Sequence, residues 1–397
     1  MTHPRSLRAL YVQYSNPAAY PPIEHSAHIL ADAGFDVLLL GTDVLDGSLA
    51  FEPHERILVR LRAFRGGGIG QKINYLMFLL WAAGVAIRWR PDWIYASDPL
   101  SSPIALVLRV LTGGRVVYHE HDSPGLPARP TRFMRVVLAM RRQLARRATI
   151  CVLPNRERAR AFGKATGRRD SLIVWNCPMR ADITPATSRP AGGALRIFYH
   201  GSIVPARLPL AVLEALSKLP RTVSLTFAGY ETLGHPGYIA ALQAEAVRFG
   251  VSDRVRFLGT VPARRDLMRT CAECDVGLSL LPSSTEDPNE DAMVGASNKV
   301  FDYLASGLAV LVSDRPDWRD TFVEGGFGLA CDPASPESIA AALSAWLASP
   351  SEREAMADRG RRQIASAWNY ETAFAPILRR MMAPTMSAPG ADRVATI

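Results

Sequence analysis

Residues 296–314, ASNKVFDYLASGLAVLVSD, place Ser297, Asn298, Lys299 and Asp302 directly before a run of apolar residues. Ser297 is suited to cap a helix, which would leave free N–H groups and the positive end of the helix dipole pointing outward beside Lys299. Val300, Phe301 and Leu304 recur at helical spacing and would face a core. Asp302 would then lie on a different face, free to accept hydrogen bonds from sugar hydroxyls. Gly307 would end the helix, and LAVLV would return as a buried strand. A polar helix start with an acid one turn further on fits a phosphate followed by a ribose. A second stretch, FYHGSIVPARLPLAVLEAL (198–216), reads as a strand ending in His200 and Gly201, a loop carrying Arg207, and a helix. An Arg in such a loop can reach a phosphate bidentately.

The stretch YHEHDSP (118–124) ends a buried run with His119, Glu120, His121 and Asp122. His119 and His121 would share one face of a strand, which is compatible with a metal. No cluster supplies the remaining ligands and the chain has no D-x-D, so a metal-free polar role in an active site is expected. The Gly-rich RGGGIGQK (65–72) fits neither G-x-G-x-x-G nor G-K-[ST] and is expected to be a flexible loop. Cys271 and Cys274 form a lone C-x-x-C inside a helical pattern, RRDLMRTCAECDV, and are expected to pack a helix rather than hold zinc.

These residues need a scaffold, and its rhythm is visible. The 397 residues suggest about two domains, and 48% hydrophobic with 21% charged residues is an ordinary globular composition. LRALYVQYS, FDVLLLG, DWIYAS, RVVYHEHD and ATICVLPN read as strands ending in polar residues, separated by helical patterns. Their continuous apolarity indicates parallel strands covered on both faces, so the class is α/β. After a linker at 178–194 a second series follows: LRIFYHG, VSLTFAG, RVRFLG, DVGLSLLP, LAVLVSD and GFGLAC. Ligands of open parallel sheets bind beyond the carboxyl ends of the strands, where the polar residues above fall. The tail from about Ala383 is expected to be disordered.

The net charge of +9 invites an anionic partner. Between Arg129 and Arg169 stand twelve Arg and one Lys against one acid, Glu157, a density that suits a phosphate or membrane surface. Little aromatic interleaving accompanies it, which argues against nucleic acid. The apolar segment YLMFLLWAAGVAI (75–87) is too short to span a bilayer and is expected to be buried or to graze a membrane. MTHPRSLRALYVQYS has no signal-type apolar region and leads into a strand. A cytoplasmic location is expected, peripheral at the inner face of the membrane.

Taken together, RVRFLGTVPARRDLMRTCAECDVGLSLLPSS, SNKVFDYLASGLAVLVSD, FGLACDPASPESIAAALSAWL and ASAWNYETAF resemble, in order and spacing, the nucleotide-sugar-binding half of retaining glycosyltransferases of family 4. The first half is more loosely similar to that family's acceptor half. The resemblance implies the GT-B fold, two Rossmann-like domains with parallel sheets facing across a cleft. They would span residues 1–190 and 194–367, with a helix at about 368–382 crossing back to the first. It also implies a nucleoside-diphosphate sugar as donor and no cofactor, and the missing D-x-D agrees with a reaction without metal; the Arg-rich 129–169 surface fits a lipid-linked or saccharide acceptor of envelope assembly.

The family's G-R-x4-K loop corresponds to Gly201 through Arg207, with Ser202 in the Arg position and Arg207 in the Lys position. Its E-x7-E pair falls at Val294 and Asp302, so the first acid is missing, with Glu290 and Asp291 nearby. The resemblance assigns Arg207, Lys299 and the Ser297–Asn298 helix start to the diphosphate, Asp302 to the ribose, and Gly259–Thr260 to the base. His121, with Asp122 beside it, would face the reacting sugar from the other domain. Two alternatives share this pattern: a nucleotide-sugar epimerase of the same fold and a non-catalytic, membrane-docked relative.

Overall fold

The computed structural model describes residues 5–43, 49–64, 68–124, 130–185, 193–232, 234–285 and 287–383. The tail expected to be disordered falls outside these from residue 384, as do residues 65–67 of the Gly-rich stretch.

The first domain holds strands β1 (Arg8–Val12), β2 (Asp36–Asp43), β3 (Ile57–Ala63), β4 (Trp93–Ser97), β5 (Arg115–His119), β6 (Ile150–Leu153) and β7 (Leu172–Ile173). All pair in parallel, in the spatial order β3-β2-β1-β4-β5-β6-β7. The second holds β8 (Leu195–Ile203), β9 (Val223–Glu231), β10 (Val255–Phe257), β11 (Val276–Ser279), β12 (Ala309–Ser313) and β13 (Gly328–Cys331). These too are parallel, in the order β10-β9-β8-β11-β12-β13. Strand order reverses beside β1 and beside β8, and each reversal opens a crevice at the carboxyl ends of the strands.

The helices of the first domain are α1 (Pro21–Asp32), α2 (Gly68–Trp89), α3 (Ser102–Thr112), α4 (Arg132–Arg147) and α5 (Arg156–Thr166). Those of the second are α6 (Ala211–Ser217), α7 (Tyr238–Arg248), α8 (Arg264–Ala272), α9 (Pro288–Asp291), α10 (Asn298–Ala305), α11 (Pro316–Trp318), α12 (Pro336–Ala348) and α13 (Pro350–Ser366). Side chains of α2 to α5 pack on one face of the first sheet, against Val116 and Tyr118, while Val117 between them faces the other core. Alternate residues of one strand therefore enter different cores, and this produces the unbroken apolar runs of the sequence. Strand β3 escaped the sequence reading because ILVRLRA is an edge strand with much of its length exposed.

One expectation changes: Gly68–Lys72 do not form a flexible loop but begin α2. Residues 336–366 form two helices, because Pro350 opens α13 and cannot continue α12. Cys271 and Cys274 are both buried against α10 and its neighbours, as expected, but only Cys271 belongs to a helix, since α8 ends at Ala272.

A last helix, α14 (Tyr370–Met382), is capped by Asn369, whose side chain accepts from the Thr372 N–H. Tyr370, Phe374, Ile377 and Met381 recur at i, i+4, i+7 and i+11 and enter the core of the first domain with Ile23, Ala27 and Tyr95. The Trp93 indole N–H donates to the Met381 carbonyl at 3.1 Å. The chain thus returns from the second domain to complete the first. Phe374→Ala should remove about 3–5 kcal/mol of stability. Thermal unfolding would show a lowered midpoint; an unchanged midpoint would mean that α14 is not part of this core.

Candidate active site

A cavity of about 290 Å³ lies between the domains at the carboxyl ends of β8 and β9 and the start of α10. Its wall includes Gly201, Ser202, Arg207, Thr260, Asn298, Lys299 and Asp302 of the second domain, and Glu24 and Asp122 of the first. Two glycines make the room. A Cβ on Gly229 would come within 1.8 Å of the Gly201 carbonyl oxygen, and one on Gly201 within 2.8 Å of Lys299 Cε. Gly201 also has φ +110°, which a side chain would resist. The β8 carboxyl end can therefore lie close to β9 and leave Lys299 a channel into the cavity.

Lys299 projects from the first turn of α10, with Nζ 5.5 Å from the centre of the Tyr199 ring. Burial, reinforced by the charge of Arg207, lowers its pKa to about 7. Arg207 donates to Ser202 Oγ at 2.8 Å, and its Nε lies 3.8 Å from a Glu290 carboxylate oxygen. Ser202, standing where a second cation was expected, is therefore a positioning partner of Arg207. Glu290 partly neutralises that cation, whereas Asp291 turns away and accepts from Arg315 at 2.9 Å. Ser297 occupies the cap position of α10 but its side chain accepts no capping bond, contrary to the expected cap. Thr260 reaches the wall; Gly259 does not, and its carbonyl accepts from the Gly229 N–H at 2.8 Å.

Asp302 differs most from expectation. Its carboxylate lines the cavity but is not free: Arg264 donates to both oxygens, at 2.7 and 3.3 Å. The same guanidinium donates twice to Asp182 Oδ2, at 3.0 and 3.1 Å. Burial raises the Asp302 pKa against the opposing pull of Arg264. For Asp182, burial is outweighed by Arg264 and the carboxyl is held below the usual range. His200 Nε2 lies 3.5 Å from Asp302, and His25 Nε2 lies 3.6 Å from Asp182. Burial keeps both imidazoles neutral, His25 with a pKa of about 3 and His200 with one well below normal. Arg264 was missed because RRDLM reads as an ordinary exposed helix start. The available signal was its place four residues after Thr260, where chain leaves a strand end and enters a helix.

On the first-domain side, Asp122 is on the cavity wall and His121 is behind it. His121 is buried, its ring 3.9 Å from that of His119, and its backbone N–H donates to Asp98 Oδ1 at 2.8 Å. Burial lowers its pKa to about 4, so the ring is neutral near pH 7. His121 is not on the cavity wall: its ring is buried beside those of His119 and Tyr20, with centroids 3.9 and 5.9 Å away. Glu24 from the first turn of α1 takes that side instead, its pKa raised by burial to about 7. Among the described residues no group of three or more His, Cys, Asp or Glu is arranged to hold a metal ion.

The two halves are tied together at this level. Arg158 donates to the His121 carbonyl, to Asp122 Oδ1 at 3.0 Å and, across the interface, to the Asn289 carbonyl at 2.8 Å. Ser123 and Asn289 exchange two bonds of 2.8 and 2.9 Å. Asn155 donates to the carbonyls of Ala292 and Val294 at 2.9 Å each. The Arg-rich stretch is thus not wholly a solvated face: Arg158 is an interface tie, and Arg141 forms a buried pair with Glu120 at 2.5 Å.

Comparison with known proteins agrees with this architecture. A family model for the glycosyl transferase 4-like domain matches residues 22–176, and one for glycosyl transferases group 1 matches residues 183–363. A glycogen synthase of Mycobacterium tuberculosis (strain CDC 1551 / Oshkosh) is 24% identical over 392 residues, covering 89% of this chain and 90% of the relative. The lipopolysaccharide core biosynthesis mannosyltransferase LpcC of Rhizobium leguminosarum bv. viciae is 26% identical over 157 residues, 39% of this chain and 41% of the relative. Among solved structures, Anabaena Alr3699/HepE in complex with UDP-glucose superposes with a TM-score of 0.71 at 16% identity, covering 94% of this chain and 99% of that one. Sucrose-phosphate synthase from Thermosynechococcus elongatus gives 0.73 at 14% identity, over 94% of this chain and 99% of that one. The fold, the two matched halves and the relatives together make this chain a glycosyltransferase of the GT-B fold, belonging to the family 4-like group.

Proposed function

We propose that the enzyme transfers a sugar from a nucleoside-diphosphate sugar, seated in the second domain, to a lipid-linked or saccharide acceptor presented by the first. The observation that carries this is the convergence of Lys299, Arg207 and the amino end of α10 on one cavity at the reversal of strand order. Two cations and a helix start stabilise the charge of a departing diphosphate without a metal. A solved neighbour holds UDP-glucose, which supports a uridine nucleotide among the donors to be tried. The relative named for lipopolysaccharide core biosynthesis supports an envelope acceptor, and the Arg-rich stretch 129–169 supports one met at a membrane surface.

In the proposed retaining transfer, the bond between the sugar C1 and the phosphate oxygen breaks and its electron pair leaves with the diphosphate. The acceptor oxygen bonds to C1 from the same face, and its proton passes to the leaving phosphate oxygen. Lys299 and Arg207 hold that oxygen's charge. Asp302, kept in place by Arg264, offers its edge to the ribose. Asp122 and Glu24 are the first-domain acids available to orient acceptor hydroxyls.

Calorimetry with a panel of UDP-, GDP-, dTDP- and ADP-sugars should find one donor class that binds, and Lys299→Met or Arg207→Ala should weaken it about tenfold or more. Unchanged affinity in both variants would sink the seat. The same titrations test pH dependence. The protonated Lys299 favours the diphosphate, and its pKa in the free protein is about 7, so affinity should fall as pH rises above that value. Lys299→Arg, always charged, should flatten the fall; a pH-independent wild type would contradict the assignment. Glu290→Gln should free Arg207 and tighten binding of the nucleoside diphosphate. Tighter binding of the diphosphate with weaker binding of the sugar nucleotide would instead assign Glu290 to the sugar hydroxyls.

A further inference from the structure

Helix α2 is apolar on two sides. Tyr75, Phe78, Ala82 and Ala86 enter the core of the first domain. On the opposite side Ile69, Ile73, Leu76, Leu80 and Ile87 point outward, at i, i+4, i+7, i+11 and i+18. At about 100° per residue these five fall within an arc of about 60°, a straight stripe about 27 Å long. Their exposure runs from 52% to 76%, well beyond what isolated surface leucines need explaining for. At the amino-terminal edge of the sheet, where α2 and α3 both end, Val110 of α3 adds a further side chain, 84% exposed.

The charges around the stripe have one sign. Neither α2 nor α3 contains an Asp or Glu; Lys72 and Arg88 flank the stripe, and Arg109 stands beside Val110. The neighbouring α4 carries six Arg and no acid, with Arg132, Arg135, Arg142 and Arg146 at the surface. An apolar ridge rimmed only by cations complements an anionic bilayer: the ridge enters the acyl boundary and the cations meet the headgroup phosphates. A second protein chain would require complementary acids on a facing surface, and the described α2–α4 layer offers none to another copy of itself. No helix among the described residues is long and apolar enough to cross a membrane, so the ridge would lie in the interface plane.

We infer that α2 is a membrane-insertion helix, and that its Ile69–Ile87 stripe lies in the surface of an anionic bilayer with the α4 arginines against the headgroups. The inference rests on the reading of the acceptor as membrane-borne and names the surface that meets the membrane. It is tested by flotation of the full chain with phosphatidylcholine vesicles, with and without phosphatidylglycerol. Wild type should float with the anionic vesicles only. Ile73→Gln/Leu80→Gln, which changes no charge, should lower the bound fraction about tenfold or more while nucleotide-sugar binding and the thermal midpoint stay unchanged. Arg142→Gln/Arg146→Gln should weaken binding to the anionic vesicles and make what remains less sensitive to salt. If wild type floats and the Ile73/Leu80 variant floats equally, the stripe proposal is overturned and a membrane-borne acceptor survives. If wild type does not float at all, both fall, although the donor site stands on its own titrations. If wild type is a dimer that the Ile73/Leu80 variant converts to monomer, the stripe is a subunit interface and the proposal is overturned.

Discussion

One guanidinium holds the centre of this molecule. Arg264 is buried between Asp302, on the helix at the donor-side cavity, and Asp182, on the segment that carries the chain from the first domain to the second. Burying a charge costs several kcal/mol unless it is fully paired, so an arrangement with four hydrogen bonds to two carboxylates has little freedom to shift. Two neutral histidines close the flanks: His25 from the first domain beside Asp182, and His200 from the end of β8 beside Asp302. The cluster fixes both where Asp302 presents its carboxylate and how the domains meet behind it. A second cross-domain tie lies at Arg158, which clamps the loop bearing Asp122 to the carbonyl of Asn289.

This arrangement divides the work of the cavity. The residues that balance Arg264 are occupied, whereas Lys299 and Arg207 face the cavity with incomplete partners. Lys299 meets the Tyr199 ring, and among the described residues no carboxylate lies within salt-bridge distance of it; Arg207 has a hydroxyl and a distant carboxylate. A buried ammonium pulled toward neutrality gains most from an incoming polyanion, because the ligand supplies the charge that the protein withholds. Rigid pairing beneath and incomplete pairing above is an arrangement suited to repeated binding and release of a diphosphate.

Most of the fold was legible because its cause is local. Strands covered on both faces must be apolar throughout, and β11 and β12, buried along their whole length, announced themselves in this way. Edge strand β10, only partly buried, was read with them from the alternation of strands and helices. Edge strand β3, with Arg60 and Arg62 in it and much of its length exposed, was not. The donor-side residues Gly201, Arg207, Lys299 and Asp302 were found because each follows a strand end or opens a helix, positions that sequence order reveals. Arg264 and Arg158 were not, because their importance comes from partners 38 and 131 residues away along the chain, nor was Glu24, whose importance comes from its burial. The same limit explains His121. Its neighbours in sequence promised an active-site ring, but the ring is buried beside those of His119 and Tyr20 and does not line the cavity.

The central claim is that the diphosphate of the donor is seated by Lys299, Arg207 and the start of α10, over a carboxylate held by Arg264. A crystal structure of the protein with its tightest-binding nucleotide sugar examines this most directly. The account predicts phosphate oxygens within about 3 Å of Lys299 Nζ and of the Arg207 guanidinium, with the Arg264–Asp302 pair intact and the ribose beside it. Phosphates bound elsewhere in the cleft, or an Asp302 released from Arg264 and pointing away from the nucleotide, would contradict it.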